Sequence, residues 1–188
     1  MGKQDQARTQ IRRALELDPF NPYMNTSFGD MLELWRRHDD ALEQYEKTLN
    51  RVPEFPWPYH LMADIYARQK RYEDAVAAER KYVVLLGHER DKIQSLETAY
   101  ATSGGQGYWI WQLQRLNDQT SRSGKTPAAH LAIVHAQLGE RDAAFKWLEE
   151  AYRDRAGPLI LLNVDPAWDP LRDDSRFKDL VRRLNFPE

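Results

Sequence analysis

The order of apolar and polar residues along the chain has the period of an α-helix. Within each segment the apolar positions recur three and four residues apart, as on one face of an α-helix. The first segment, Asp5 to Leu17, places Ile11 and Ala14 on such a face and stops before Pro19, which disfavours helical geometry in the residue preceding it. No segment shows the strict period of two that marks a half-buried strand. The pattern therefore predicts an all-α protein.

The helices that follow this first segment are predicted in pairs, and their packing positions repeat with a period of about 34 residues. Each first helix carries a large residue before a small one, and each second helix carries an alanine. The pairs are Phe28-Gly29, Met62-Ala63 and Leu131-Ala132, and the alanines are Ala7, Ala41, Ala75 and Ala144. Small residues let the two helices of a hairpin approach closely, while stacking of neighbouring hairpins buries the large ones.

This period and these packing residues resemble the tetratricopeptide repeat (TPR) over roughly residues 5–155. The resemblance implies a right-handed superhelical array of antiparallel helix hairpins, an α-solenoid, ending in a C-terminal capping helix. We expect one TPR-like domain over residues 1–188. Its predicted parts are a lone second helix at 5–19, repeats at 22–55, 56–89, 90–124 and 125–156, and a cap at 157–188.

The third repeat departs most from the pattern. Glu97 stands where a small residue is expected, and Trp109 stands where the other repeats have alanine. We expect Trp109 to hold the two helices of this hairpin apart. A Gly-rich loop over residues 102–106 is predicted to join them.

The period fails after residue 155. Pro158 to Leu162 predicts one or two apolar turns, Trp168 and Leu171 anchor a Pro-punctuated turn, and Ser175 begins a final helix. Residues 164–172 resemble the end of TPR modules in bacterial multidomain regulators, which follow a winged-helix, cyclase or kinase domain. That resemblance implies an interaction or sensing module of a larger bacterial regulatory protein.

The composition argues against nucleic-acid binding, membrane insertion and metal binding through cysteine. A net charge of −2 supplies no field to attract nucleic acid, so we expect no nucleic-acid partner. No apolar run is long enough for direct membrane insertion, and the absence of cysteine excludes thiolate metal sites. The default compartment is the cytoplasm, with an extracytoplasmic placement if the module belongs to a membrane-spanning regulator.

Catalytic chemistry has no support in the sequence. No serine or threonine has a recognisable nucleophile context, and no histidines stand in a metal-binding motif. Residues 123–126, Ser-Gly-Lys-Thr, match the end of a phosphate-binding loop, but Gln119 stands where that motif needs glycine. We therefore expect no enzyme activity, no cofactor and no metal.

The resemblance to TPR proteins implies that the first helices line a concave groove. The predicted groove residues are Tyr23, Ser27, Asp30, Trp57, His60, Asp64, Gln94, Thr98 and His130. Their acidic and aromatic character favours a basic or aromatic segment of a peptide or protein partner. The alternative is that the charges keep an unused face in water and that Trp57 packs on a neighbouring turn.

The run from Tyr108 to Trp111 places four large apolar residues in succession, which cover more than one face of a helix. We expect at least one to be exposed, and Tyr108 and Trp111 are the candidate interaction surface, in a homo-oligomer for example. Packing against the Gly-rich loop and the last repeat is the alternative. The sequence thus favours a non-enzymatic interaction scaffold, with a self-association module and a small-molecule sensor as the other hypotheses.

Overall fold

A computed structural model of the chain describes residues 2–87 and 90–186, without the side chains of residues 2–5, 7, 8 and 12. Ala7 of the repeat pattern and the ends of the predicted 56–89 repeat and 157–188 cap lie outside this description. The described residues contain no strand and are helical, as the sequence predicts. The helices are α1 (Gly2–Leu17), α2 (Pro22–Leu34), α3 (His38–Arg51), α4 (Trp57–Arg68), α5 (Tyr72–Leu85), α6 (Arg90–Ser123), α7 (Ala128–Gln137), α8 (Arg141–Arg153) and α9 (Ser175–Leu184), with two 3₁₀ helices at Gly157–Leu161 and Pro166–Leu171.

The chain divides into two compact units, residues 1–93 and 94–188. In the first unit each of the helices α1 to α4 packs on the helix that follows it, and α2 also contacts α4. In the second unit α7 packs on α8 and on the second 3₁₀ helix. Contacts between consecutive helices therefore dominate each unit.

The backbone turns of the hairpins recur at the predicted period. A residue with positive φ ends the first helix of each hairpin: Arg36 at 61°, Lys70 at 62°, Gly104 at 56° and Gly139 at 79°. These positions are 34, 34 and 35 residues apart. After Arg36, Lys70 and Gly139, the next backbone N–H donates to the carbonyl five residues earlier at 2.9 Å, which closes a Schellman-type cap. The chain thus reverses direction at one register position in all four hairpins.

Small residues occupy the close contacts in the regular hairpins. Ala41, Ala75 and Ala144 have no exposed surface. A Cβ atom on Gly29 would lie 2.3 Å from Cε1 of Tyr45, which is itself only 1% exposed. The first and second helices of this hairpin therefore approach too closely for any larger residue at position 29.

The third hairpin differs from its prediction. Within α6 only Gly104 leaves helical geometry, with φ 56° and ψ −136°, so the predicted loop over 102–106 is a one-residue break. The parts of α6 before and after Gly104, its first and second limbs, fold back on each other. Nε1 of Trp111 in the second limb donates a hydrogen bond to Oγ of Ser95 in the first at 2.9 Å. A Cβ on Gly107 would lie 1.9 Å from the Ala99 carbonyl oxygen. Trp109 is buried, and the expected separation of the limbs is absent at this end of the hairpin.

The C-terminal segment packs onto the α7–α8 hairpin. Trp168 and Leu171 of the second 3₁₀ helix are fully buried, and Phe177 and Leu180 of α9 join the same apolar cluster. Asp165 and Asp174 cap the helices that follow them by accepting from the backbone N–H groups of Ala167 and Arg176 at 2.8 and 3.0 Å. The start of α9 at Ser175 agrees with the sequence pattern.

Candidate binding face on the first helices

The nine predicted groove residues fall in different units of the structure. Six belong to the first unit, where α2 carries Tyr23, Ser27 and Asp30 and α4 carries Trp57, His60 and Asp64. The other three belong to the second unit, where Gln94 and Thr98 lie on α6 and His130 lies on α7. These three side chains are all exposed.

The first unit presents the same pair of side-chain types on two neighbouring helices. Tyr23 precedes Asp30 by two helical turns on α2, and Trp57 precedes Asp64 by two turns on α4, one repeat period later. Both aromatic residues are exposed, at 65% for Tyr23 and 47% for Trp57, while the carboxylates are half-buried. Because α2 contacts α4, an aromatic–acidic pair is displayed twice side by side.

Neighbouring rings anchor the two aromatic side chains without covering them. Tyr23 meets the buried Phe55 edge-on, with ring centroids 4.8 Å apart. Trp57 lies against Tyr82 of α5, with centroids 6.0 Å apart and planes tilted by 44°. Each ring is thereby oriented by one contact and keeps another side exposed to solvent. Such a ring is available to contact a ligand.

The carboxylate of Asp30 lies in a partly desolvated position. Its Oδ1 accepts a hydrogen bond from the hydroxyl of Tyr45 at 2.7 Å. Burial raises the pKa of Asp30, the neighbouring Glu33 raises it further, and the Tyr45 hydrogen bond opposes both. Burial, with the nearby Asp30 charge, also raises the pKa of Tyr45. No cation among the described residues forms an ion pair with Asp30, so its negative charge would gain from an incoming cation.

Glu33, an acid of α2 three residues after Asp30, is engaged inside the protein. Its Oε1 accepts from Arg68 of α4 and its Oε2 contacts Nδ1 of His38, both at 2.5 Å. The Arg68 bond joins the C-terminal ends of α2 and α4 directly. Glu33 therefore holds the two helices together, and the carboxylates left for a ligand are Asp30 and Asp64.

His60 faces α5 in the structure. Its ring stacks on Tyr82 with centroids 4.7 Å apart, and Nδ1 lies 3.4 Å from Oε2 of Glu79, which has no exposed surface. His60 is thus engaged in packing between α4 and α5. Sequence reasoning missed Glu79, although a signal exists, since it is an acid one period after Tyr45 at a packing position of an amphipathic helix.

The run from Tyr108 to Trp111 is placed differently from the prediction. Tyr108 is fully buried and its hydroxyl accepts from Nε2 of Gln112 at 3.0 Å, while Trp111 is 5% exposed and bonded to Ser95. This corrects the predicted placement of Tyr108 and Trp111 at the surface. Ile110, at 38% exposed, is the member of the run that meets solvent.

The described part of the chain lacks two other features that would indicate a function. It contains no group of three or more His, Cys, Asp or Glu side chains arranged to hold a metal ion. None of its helices combines the length and the apolar character needed to cross a membrane. No protein-family model, curated protein or solved structure matches the chain.

Proposed function

We propose that the chain is a TPR-like α-solenoid, and that its first repeats bind a peptide or protein segment with basic and aromatic side chains. In this proposal it acts as a non-enzymatic interaction scaffold within a larger bacterial regulatory protein. The observation that carries the proposal is the duplicated pair, Tyr23 with Asp30 on α2 and Trp57 with Asp64 on α4. An unused polar face has no need for two large exposed rings at the same register.

The chemistry of the pairs defines the ligand. Asp30 and Asp64 attract a Lys or Arg side chain, and Tyr23 and Trp57 offer ring faces for an aromatic ring or a guanidinium group. Packed helices lie about 8–10 Å apart, and an extended chain rises about 3.3 Å per residue. Two carboxylates on neighbouring helices therefore match two cations about three residues apart in an extended segment.

The test is fluorescence anisotropy with a labelled twelve-residue peptide that carries two arginines three positions apart and a tyrosine between them. We expect Asp64→Asn and Asp30→Asn each to weaken binding several-fold, because each removes one charge partner and keeps the side-chain shape. The matched control is Asp39→Asn in the first turn of α3, an exposed acid outside the face. A peptide with glutamates in place of the arginines should not bind.

The fold should survive these substitutions, so the assay reports binding alone. The raised pKa of Asp30 means that this group stabilises the folded state in its protonated form, and that the contribution is lost as the pH rises through its folded pKa. Asparagine retains an oxygen for the Tyr45 hydroxyl and carries no charge, so Asp30→Asn should unfold no earlier than the wild type at pH 7. Equal peptide affinity of the wild type and both face variants would refute the proposal.

A further inference from the structure

The second unit contains a cavity that the peptide face does not use. Its volume is about 820 Å³, within the range of about 300–1,000 Å³ that is typical of small-molecule sites. Its apolar walls come from the end of α8, the turn after it, the first 3₁₀ helix, the end of α9 and the segment that follows α9. The wall residues are Tyr152, Ala156, Leu159, Ile160, Leu184 and Phe186.

The walls of the cavity are fixed by polar contacts around them. Arg183 of α9 donates two hydrogen bonds to the carboxylate of Glu149 on α8, at 2.6 and 2.9 Å. Its guanidinium carbon also lies 4.2 Å from the ring centroid of Tyr152. These contacts hold α9 against α8 in the folded chain, so a ligand would meet a cavity that is already formed.

The charged residues that line the cavity have one sign. Among the residues that the structure describes, Arg153 and Arg155 are part of the lining and no carboxylate is. Arg153 forms an ion pair with Glu150. Arg155, in the turn after α8, forms no ion pair with any residue that the structure describes. Within the described part of the chain, a cation without an ion pair thus lies at the edge of an apolar space.

We propose that this cavity binds a medium-chain fatty acid as its free carboxylate. The hydrocarbon chain lies against Leu159, Leu184 and Phe186, and the carboxylate meets the guanidinium of Arg155. An apolar body with one anionic end is the ligand shape that complements this arrangement of wall and charge. The cavity lies in residues 152–186, so this proposal does not depend on the peptide face of residues 22–87.

Isothermal titration calorimetry of the full chain with octanoate and decanoate tests the proposal. Each added methylene should tighten binding roughly fourfold, so decanoate should bind roughly fifteenfold more tightly than octanoate. Decyltrimethylammonium, with the same chain and a positive head, should not bind. Arg155→Gln should weaken decanoate binding about tenfold, while Arg182→Gln, an exposed arginine of α9 outside the lining, should leave it unchanged.

A second pair of variants tests the position of the hydrocarbon chain. Ile160 is 73% exposed at the cavity and Val164, four residues later, is 46% exposed outside the lining. Ile160→Asp introduces a carboxylate beside the ligand and should abolish measurable binding, whereas Val164→Asp makes the same charge change and should not. Neither side chain is buried, so both variants should fold, and far-ultraviolet circular dichroism checks this.

Three results would overturn the proposal. The first is equal affinity for octanoate and decanoate, and the second is an equal effect of Ile160→Asp and Val164→Asp. The third is binding of an acidic, leucine-rich peptide by a chain that does not bind decanoate, which would make the cavity a protein-docking site.

Discussion

Gly107→Ala is the sharpest test of the third hairpin, because two effects of opposite sign compete at this position. Gly107 lies in the second limb of α6, where alanine is the better helix former by about 1 kcal/mol. Its Cα, however, packs against the first limb. A Cβ would lie 1.9 Å from the carbonyl oxygen of Ala99 and 2.6 Å from its carbonyl carbon.

The steric effect should be the larger of the two. The clashing atoms belong to the backbone, so no side-chain rotation relieves the contact and the limbs themselves must separate. Overpacking costs typically about 1–3 kcal/mol, and a backbone obstacle places this case at the upper end. After subtraction of the gain in helix propensity, we expect the substitution to destabilise the chain by about 2 kcal/mol, or by about 4–8 °C in Tm.

Urea unfolding followed by tryptophan fluorescence measures this effect, since Trp109 and Trp111 lie in the same limb. Gly157→Ala is the control, because a Cβ at position 157 meets nothing within 4 Å and stability should change by less than about 0.5 kcal/mol. A Gly107→Ala chain more stable than the wild type would mean that helix propensity alone acts there. The close approach of the two limbs would then be wrong.

Two further predictions concern the hairpin turns and the last helix. Lys70→Gly should stabilise the chain by about 0.5–1 kcal/mol in urea unfolding, because it removes the backbone strain of a lysine at φ 62°. Gly139→Ala, at φ 79° in the corresponding turn, should destabilise the chain by a similar amount. Changes of the opposite sign would contradict the repeated turn. Hydrogen bonds from the side chain and backbone of Arg176 lower the pKa of Asp174 from 3.8 to about 2. Asp174 therefore stabilises the folded state at a pH above its unfolded pKa, and this contribution is lost as the pH falls through about 2. The difference in Tm between the wild type and Asp174→Asn should therefore be constant above about pH 5 and shrink below pH 4, and a difference independent of pH would contradict it.

The register of the repeat was predictable from sequence because it rests on residue size. Gly29, Ala41 and Ala75 lie where helices approach closely, and size at such positions is visible in one sequence. The break in α6 was not predictable in the same way. Gly104 and Gly107 look alike in sequence, yet one ends a helix and the other sits inside one against Ala99. Only the packing of the two limbs distinguishes their roles.

The candidate face shows the same limit. The register of Tyr23 and Trp57 on the first helices follows from the period, and both rings are exposed in the structure. The direction of His60 does not follow from the period, since it depends on a buried acid on another helix. Tyr108 and Trp111 likewise turn inward, where Gln112 and Ser95 are their hydrogen-bond partners.

The two carboxylates of the face, Asp30 and Asp64, have different polar surroundings, because the acid and its polar neighbour change helices between the first two hairpins. In the first hairpin the acid, Asp30, stands on the first helix and receives a hydrogen bond from Tyr45 on the second. One period later the second helix carries the acid, Glu79, and the first helix supplies His60 as its neighbour.

Asp64 is the counterpart of Asp30 one period later, and the counterpart of Tyr45 is Glu79, so the second hairpin has an acid at the position that supplies the hydroxyl in the first. No hydrogen bond or ion pair within the described part of the chain engages the side chain of Asp64. A cationic ligand would compete with Tyr45 for Asp30 but with water alone for Asp64. Within the proposed peptide interaction, Asp64→Asn should consequently cost more affinity than Asp30→Asn.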